Sequence, residues 1–390
     1  MIIAKCAFWT SLFLILYTYF LYPVVLFLAY TVVQLQRDID YLARRRNRRA
    51  SSYDDKDLPN VTMIVPVYNE EEHLEEKIIN LRDTDYPRDK LQVIFVSDGS
   101  TDKTNEILSR LNEAGIEIIF KGRGGKPTAL NVAVEHAHNS ILIFSDGSTL
   151  FEPDAIRMLV RHFSSPDVGA VCGALKFASN AESQQTEGVY WKYESMLRLM
   201  ESRLGATLTA SGAIYALRRE AWIPLSPETV LDDFMATVNA RKLGYRVLYD
   251  PEAVALDFAP SSIKGEFARR VRIAVGSFRS LGEFLSAPLP GRTRFAFISH
   301  KLMRWTVPQW LVVALLSNAC LLHYQLYQVL FAFELAFYMW AMAGFLFQKR
   351  VRGIRFASVA YFLLAMNLAF MVGLFRSLGS RKEAIWQRVS

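Results

Sequence analysis

The sequence predicts an α/β fold: a doubly wound, mostly parallel sheet with N-terminal and C-terminal transmembrane helices. The first observation is that short apolar runs alternate with amphipathic helical patterns between residues 58 and 260. The second is that three of these runs stop at acidic and small polar residues, as buried parallel strands do at their carboxyl edge. The third is that long uncharged stretches flank this region on both sides.

Residues 1–36 are predicted to form an N-terminal membrane anchor. Residues 7–33 contain no charged side chain, and this run exceeds the roughly 20 residues that cross a bilayer as a helix. No small-residue cleavage site follows it, so we expect a retained anchor rather than a signal peptide. Residues 37–57 form a basic juxtamembrane linker, which predicts that the following domain lies in the cytoplasm.

The elements of the central domain, residues 58–260, follow from local patterns. Apolar runs of about four to eight residues predict strands, and polar and apolar residues alternating with the helical period predict helices. The predicted strands are 61–67, 91–97, 116–120, 141–145 and 168–175. The predicted helices are 70–83, 102–114, 127–137, 153–163 and 186–203. Capping residues at 100–102 and a proline at 127 mark two of the helix starts.

After residue 260 the chain becomes basic and amphipathic, and then apolar. Residues 261–305 interleave arginines with apolar residues, a pattern suited to helices at the membrane surface. Residues 306–376 are predicted to form C-terminal transmembrane helices, with candidate spans at 307–322, 326–347 and 356–375. The tail, residues 377–390, is basic, although four complete spans would place it outside. Either one segment does not cross, or one lies in the interface, or the tail disobeys the positive-inside rule.

Charge and cysteine usage exclude several classes of protein. The net charge of +7 is concentrated beside the predicted spans, so the arginines indicate topology and contact with membrane lipids rather than nucleic-acid binding. The three cysteines are odd in number and far apart, which argues against a disulfide framework and a cysteine metal site. We therefore expect a multi-pass membrane protein whose central domain lies in a reducing compartment.

Carboxylates follow three of the predicted strands. Glu70, Asp98 and Asp146 stand at or just after strand ends that meet at one edge of a parallel sheet. Converging carboxylates suggest a bound cation or a cationic group of a ligand. The Gly-rich loop at 122–127 adds Arg123 and Lys126, which could meet phosphate oxygens where the loop enters a helix.

The motifs, in this order and spacing, resemble those of the membrane-bound family 2 glycosyltransferases of the bacterial exopolysaccharide type, relatives of the cellulose, chitin and hyaluronan synthases. They are VPVYNEE at 65–71, VSDGSTD at 96–102, GRGGKPTALN at 122–131, FSDGS at 144–148, LDDF at 231–234, RRVR at 269–272 and HKLMRW at 300–305. The resemblance implies a GT-A-like fold, a UDP-sugar or other nucleotide-sugar as sugar donor, Mg²⁺ or Mn²⁺ as cofactor, and a place in the bacterial inner membrane.

The resemblance also implies residue roles. Asp233 is the expected catalytic base, because the acceptor hydroxyl loses its proton during attack and the neighbouring Asp232 raises the pKa of the base. Asp232 and Trp191 are expected on the acceptor side. Asp146 is expected to bind the metal, whereas Ser148 stands where the family has a second carboxylate and is a weaker ligand. The expected sugar-donor-binding residues are Tyr68, Glu70, Asp98, Arg123, Lys126, Asp146, Arg269 and Arg272.

The expected function is inverting transfer of a sugar to a polyprenyl-linked saccharide or growing glycan in exopolysaccharide or cell-surface glycan synthesis, alongside other polysaccharide-assembly proteins. Ile273 stands where processive synthases have a tryptophan that stacks on the sugar chain, which favours single additions. A processive polysaccharide synthase and a catalytically silent membrane scaffold are the alternatives.

Purely structural explanations also stay open for several of these residues. Asp98 would then cap a helix, and 122–127 would be a flexible turn. Asp232 and Asp233 would complement a helix dipole, and the aromatic residues of 186–203 would belong to the core.

Overall fold

The computed structural model describes residues 1–44, 57–178, 184–208, 210–258, 263–346 and 355–379. Most of the basic linker, the basic segment at 347–354 and the tail from residue 380 lie outside the described residues. The charge-based expectations about those segments therefore stay predictions.

The described residues contain one mixed eight-stranded sheet in the order β3-β2-β1-β4-β7-β6-β8-β5. Four strand pairings are parallel and three are antiparallel. The parallel pairs are β1–β2, β1–β4, β2–β3 and β6–β8. The sheet is mixed because β7 runs antiparallel to β4 and β6, and β5 runs antiparallel to β8. The strands are β1 Val61–Val67, β2 Leu91–Asp98, β3 Ile116–Lys121, β4 Ile141–Phe144, β5 Leu150–Phe151, β6 Val168–Ala178, β7 Tyr215–Arg218 and β8 Arg246–Phe258.

Each of the five predicted helices of the α/β region has a counterpart, with bounds that differ by up to five residues. The first begins at residue 74 instead of 70, because residues 71–73 form a turn, and the second ends at residue 109 instead of 114. Strands β5, β7 and β8 were not anticipated individually. The helices are α3 Leu74–Arg82, α4 Thr104–Ser109, α5 Lys126–His136, α6 Ala155–Val160, α7 Gln184–Arg203 and α8 Asp232–Lys242.

Both faces of the sheet are buried by helices. In β1, Met63 and Val65 pack into one apolar cluster with Leu74 of α3, whereas Ile64 packs into a second cluster with Leu130 of α5. The alternation follows from strand geometry, in which successive side chains point to opposite faces. The predicted doubly wound arrangement is therefore confirmed.

Three described helices are long and apolar enough to cross a membrane by length and composition: Ile2–Tyr41, Gln325–Gly344 and Ala360–Ser377. The first comprises α1 Ile2–Leu16 and α2 Tyr22–Arg44, joined by a wide turn of π-helix. Of the four predicted spans, only 307–322 has no counterpart among these three. Its helix, α12 Met303–Ala319, continues directly from a π-helical segment, Phe297–Leu302, so its length is sufficient. Polar residues such as Arg304, Gln309 and Asn318 make it less apolar than the three helices above. The other C-terminal helices are α9 Ile263–Arg279, α10 Leu281–Ser286, α11 Gly291–Ala296, α13 Gln325–Leu346 and α14 Arg355–Ser377.

Buried carboxylates of α7 connect the α/β domain to the apolar helices. Glu194, 3% exposed, lies 2.6 Å from Arg304 Nη1 and 3.1 Å from His300 Nε2. Glu201 accepts a hydrogen bond from the Tyr22 hydroxyl at 2.8 Å and lies 2.7 Å from His300 Nδ1. A buried carboxylate is tolerated only when it is paired, so these contacts hold the N-terminal and C-terminal helices against α7.

Helix α9 lies between the last apolar helix and the chain that leads to Asp232. A Cβ atom on Gly373 of α14 would lie 2.3 Å from the Ala274 Cβ, and one on Gly276 would lie 2.8 Å from the Val230 Cβ. These distances are too short for a side chain, so Gly373 packs directly on α9 and Gly276 packs directly on the Val230 side chain. Helix α9 thus links the apolar helix α14 physically to the start of α8.

Candidate active site

The candidate active site lies at the carboxyl edge of the parallel strands. Asp98 ends β2, Asp146 follows β4 by two residues, and Asp232 and Asp233 open α8. The structure brings Asp146 and Asp232 to Lys126, the first residue of α5, whereas Asp98 contacts the loop that precedes Lys126. We call Lys126, Asp146, Asp232 and Asp233 the carboxylate node.

Lys126 is the fixed cation of the carboxylate node. Its Nζ lies 2.7 Å from Asp146 Oδ1 and 3.1 Å from Asp232 Oδ2, and its side chain is 14% exposed. Burial alone would lower the pKa of Lys126, but Asp146 and Asp232 outweigh burial and raise it. Burial would conversely raise the pKa of Asp146, and Lys126 instead lowers it. Both groups are therefore charged at neutral pH.

Asp233 differs from its neighbours because its pKa is raised to about 6. Burial is the largest cause, repulsion by Asp232 adds to it, and Lys126 opposes it. A Cβ on Gly212 would lie 3.6 Å from Asp233 Oδ2 and 3.3 Å from Lys126 Nζ. Gly212 belongs to the Ser211-Gly212-Ala213 turn, so this turn borders the node closely.

Helix α9 contributes one of its two predicted arginines to the node. Arg272 is exposed and is attracted electrostatically by Asp232, Asp146 and Asp233. Arg269 instead pairs with Glu266 of its own helix, at 3.2 Å. Trp191 lies on α7, but its side chain is outside the described residues.

Asp98 is enclosed by hydrogen-bond donors from one loop. Lys121 Nζ and Arg123 Nη1 each lie 2.6 Å from its carboxylate, and the backbone N–H groups of Gly124 and Gly125 donate to it at 2.9 and 2.8 Å. Burial would raise the pKa of Asp98, but these donors lower it. Sequence reasoning missed Lys121, although it ends β3 directly opposite Asp98 in the sheet register.

The same loop covers Tyr68. The Arg123 guanidinium carbon lies 3.4 Å from the centroid of the Tyr68 ring. Gly99 has a positive φ of 70°, and a Cβ there would lie 2.8 Å from the backbone nitrogen of Arg123. The loop after β2 and the loop after β3 are therefore in direct contact. The structure thus brings Tyr68, Asp98 and Arg123 together, with Arg123 in contact with both of the others. Direct binding of a nucleotide base by Asp98 would require Arg123 or Lys121 to move.

The oxygen ligands available to a metal ion are few. Ser148 Oγ lies 3.4 Å from Asp257 Oδ1, and Lys126 already occupies one oxygen of Asp146. Across the described parts of the chain, no group of three or more His, Cys, Asp and Glu residues could hold a metal. Mg²⁺ commonly uses one or two carboxylates and completes its shell with phosphate oxygens and water. Asp146 therefore fits a metal that is bound together with a diphosphate.

Residues 145–149 form the turn that carries Asp146 and Ser148. Lys77 of α3 donates hydrogen bonds to Ser145 and Thr149 of this turn. Lys77 is fully buried, and burial lowers its pKa to about 7, although Asp146 and Asp257 oppose that change. Glu70 packs on the same turn, because a Cβ on Gly147 would lie 3.1 Å from Glu70 Cγ. Lys77 gave no sequence signal, since it stands within an ordinary charged amphipathic helix.

Comparisons with known proteins agree with this architecture. The model of the family described as Glycosyl transferase family 2 matches residues 62–223, from β1 through β7, and ends before Asp232. A solved mannosyltransferase from Pyrobaculum calidifontis, in complex with GDP-Man and Mn²⁺, superposes with a TM-score of 0.65 at 23% identity. The alignment covers 89% of this chain and 97% of that one. The predicted GT-A-like fold is therefore confirmed.

Curated relatives are similar over the same region. The poly-beta-1,6-N-acetyl-D-glucosamine synthase of Staphylococcus aureus (strain COL) is 25% identical over 235 residues, which is 58% of this chain and 56% of that protein. An N-acetylglucosaminyltransferase of Rhizobium leguminosarum bv. viciae is 27% identical over 258 residues, 61% of this chain and 60% of that protein. The match thus spans little more than half the length of these relatives. Residues 62–223 therefore match the model of the Glycosyl transferase family 2, and the relatives that are similar over this region are glycosyltransferases by name or a polysaccharide synthase.

Proposed function

We propose that the protein is an inverting glycosyltransferase that moves a sugar from a UDP-sugar to an acceptor hydroxyl. The observation that carries the proposal is Asp233, whose pKa is raised to about 6 beside the fixed cation Lys126. A carboxylate with this pKa is ionised at neutral pH and is still basic enough to accept a proton during the reaction. Base and cation are the two groups that glycosyl transfer requires.

In the proposed reaction, Asp233 takes the proton of the acceptor hydroxyl while the oxygen attacks the anomeric carbon. The bond between that carbon and the diphosphate oxygen breaks, and the nucleoside diphosphate leaves with the bonding electrons. Attack from the face opposite the leaving group inverts the anomeric configuration. Asp232 raises the pKa of Asp233 and borders the acceptor, and Trp191 is proposed to lie on the same side.

The developing negative charge of the diphosphate is proposed to meet the cations around the node. Lys126 and Arg272 already lie among the carboxylates. Arg123 stands three residues before Lys126 and packs on the Tyr68 ring. When a nucleotide enters, its phosphates would compete with Asp146 and Asp98 for these cations. The full proposed sugar-donor set is Tyr68, Glu70, Asp98, Arg123, Lys126, Asp146, Arg269 and Arg272.

A divalent metal, Mg²⁺ or Mn²⁺, is part of the proposal. It would neutralise diphosphate charge when bound, with Asp146 as its carboxylate ligand and Ser148 as a weaker neighbour. The relative from Pyrobaculum calidifontis was solved with Mn²⁺. The single carboxylate of the turn supports a metal that is held jointly by protein and nucleotide.

The acceptor is proposed to be a lipid-linked saccharide, reached from the cytoplasmic side of the inner membrane. Three helices could span a membrane, and α9 places Arg272 at the node while its other side contacts α14 at Gly373. The reactive groups are thus one helix away from an apolar helix. An amphiphile with an anionic head group suits such a site, since its tail can remain in the bilayer.

A processive polysaccharide synthase is the second candidate, and the Staphylococcus aureus relative, a poly-beta-1,6-N-acetyl-D-glucosamine synthase, favours it. Ile273, in place of a tryptophan, and the small number of apolar helices in the described chain argue for single additions. Both relatives are named for N-acetylglucosamine, so UDP-N-acetylglucosamine is the first sugar donor to test.

The test uses the purified full chain in lipid nanodiscs with a panel of labelled nucleotide-sugars, with and without Mn²⁺ and polyprenyl-linked acceptors. The proposal expects one labelled sugar per acceptor, and long polymer formed without added acceptor would establish the processive alternative. Asp233→Asn should bind nucleotide and not turn over. Nucleotide binding without turnover by the unmodified protein, under every combination, would favour the silent scaffold.

A further inference from the structure

The turn at residues 145–149 holds Asp146 through a small hydrogen-bond network. The carbonyl oxygen of Asp146 accepts a hydrogen bond from the Thr149 N–H at 3.3 Å and one from Ser145 Oγ at 3.2 Å. These bonds close the turn on itself. They do not by themselves attach it to the rest of the domain.

Lys77 attaches both ends of this turn to helix α3. Its Nζ donates to Ser145 Oγ at 2.6 Å and to the Thr149 carbonyl oxygen at 2.5 Å. The side chain is fully buried, and the Phe151 ring lies 4.8 Å from the same Nζ. Because an amine donates hydrogen bonds whether or not it carries the extra proton, the clamp does not depend on the charge of Lys77.

Burying a lysine side chain in order to close a turn is energetically unfavourable. Removing an ammonium from water is unfavourable unless it gains partners of opposite charge. The charged groups facing Lys77 are Asp146 and Asp257, which stand on the turn and on β8. The two hydrogen bonds of Lys77 lie on either side of Asp146, at Ser145 and at Thr149, so this side chain fixes the backbone that carries the Asp146 carboxylate.

Asn80, one helical turn further along α3, provides an internal comparison. Its side chain donates to the Phe151 carbonyl at 2.8 Å and accepts from the Phe151 N–H at 2.7 Å. Asn80 therefore clamps the same chain segment just beyond the turn. Both of these hydrogen bonds go to Phe151, outside the turn that carries Asp146.

We propose that Lys77 is a positioning residue for glycosyl transfer: it fixes the turn at 145–149 so that Asp146 faces Lys126 and the diphosphate of the sugar donor. This inference rests on the proposed function, since it assigns Asp146 to the site of transfer. Lys77 does not contact the substrate. It acts through the position of Asp146.

The experiment compares Lys77→Met, which keeps the length of the side chain and removes both hydrogen bonds, with Asn80→Ala as the matched control. We expect Lys77→Met to lower kcat/KM by about 10- to 100-fold, the size of effect that a small misplacement of a reactive group produces. Asn80→Ala should reduce thermal stability and leave kcat/KM of the folded protein unchanged. Equal losses of kcat/KM in the two variants would overturn the proposal.

A double-mutant cycle tests whether Lys77 acts through Asp146. In an Asp146→Asn background, Lys77→Met should add less than about a twofold loss, because the group that it positions is already gone. A full additional loss in that background would refute the inference. Should Lys77→Met fail to fold, Ser145→Ala removes one of the two Lys77 bonds together with the bond from Ser145 Oγ to the Asp146 carbonyl, and the resulting loss should vanish in the same background.

Binding provides a measurement that does not need turnover. Calorimetric titration with UDP and Mn²⁺ should give about tenfold weaker binding for Lys77→Met and unchanged binding for Asn80→Ala. If the unmodified protein binds UDP and transfers no sugar, the proposed function fails while the role of Lys77 in binding is still tested. Unchanged binding by Lys77→Met would contradict that role.

Discussion

Asp233→Asn is the substitution that tests the proposed chemistry most directly. It removes the only group of the carboxylate node whose pKa is raised toward neutrality, to about 6, and retains nearly the same shape. Loss of a positioned general base lowers turnover by about 10²- to 10⁴-fold. We therefore expect a fall in kcat of this size with UDP-sugar binding retained.

The pH dependence of the unmodified protein follows from the same pKa. The base must be ionised to act, so activity is lost as pH falls through about 6. About nine-tenths of Asp233 is ionised at pH 7 and about one-tenth at pH 5, so kcat/KM should fall about tenfold over this interval. An unchanged kcat/KM between pH 7 and pH 5 would refute the assignment of Asp233 as the base.

As pH rises, the stability of the fold should decrease while the activity increases. The folded-state pKa of Asp233 is raised from 3.8 to about 6, so the folded protein holds the proton more tightly than the unfolded chain does. Ionisation of Asp233 therefore lowers the free energy of unfolding. This loss is close to zero below about pH 4 and reaches at most about 3 kcal/mol above pH 6. Asp233→Asn should raise the thermal midpoint at pH 8 and leave it unchanged at pH 4.

The assay measures initial rates and thermal unfolding of Asp233→Asn in nanodiscs from pH 4 to pH 8. Asp167→Asn is the control, because Asp167 forms a half-exposed ion pair with Arg246 at 2.9 Å, away from the node. The control should show ordinary kinetics and no pH-dependent gain in stability. A gain at pH 8 for Asp167→Asn equal to that for Asp233→Asn would show that the effect does not come from the node.

Three further predictions concern packing, the helix junction and the metal. Gly276→Val should disrupt the contact with Val230 that precedes α8 and reduce both stability and turnover, whereas Gly291→Ala, where a Cβ meets nothing within 4 Å, should have little effect in the same assays. Glu194→Gln should reduce the free energy of unfolding by about 3–5 kcal/mol, because it leaves buried cations uncompensated; thermal unfolding should show no such loss for the exposed Glu106→Gln. Removing divalent metal with EDTA should abolish transfer, and Mn²⁺ should restore it; full activity in EDTA would exclude the proposed metal.

Local features of the site were predictable from the sequence because they depend on neighbours along the chain. The apolar runs of β1, β2 and β4 end at acidic residues, so Asp98 and Asp146 could be assigned to one edge of the sheet. The long uncharged segments indicated the apolar helices in the same way. Strand β7 was not anticipated, since its sequence Tyr-Ala-Leu-Arg lacks the β-branched residues that marked the equally short β4.

By itself, then, the sequence determined the α/β alternation, the apolar helices and the motif residues at the strand ends, because each is a property of consecutive side chains. Only the tertiary structure decided which cation meets which carboxylate. Lys121 closes on Asp98 and Lys77 reaches Ser145, 68 positions away, because the sheet and α3 bring distant segments within hydrogen-bond distance. The raised pKa of Asp233 likewise arises from burial and from charges on other elements, which no local pattern records.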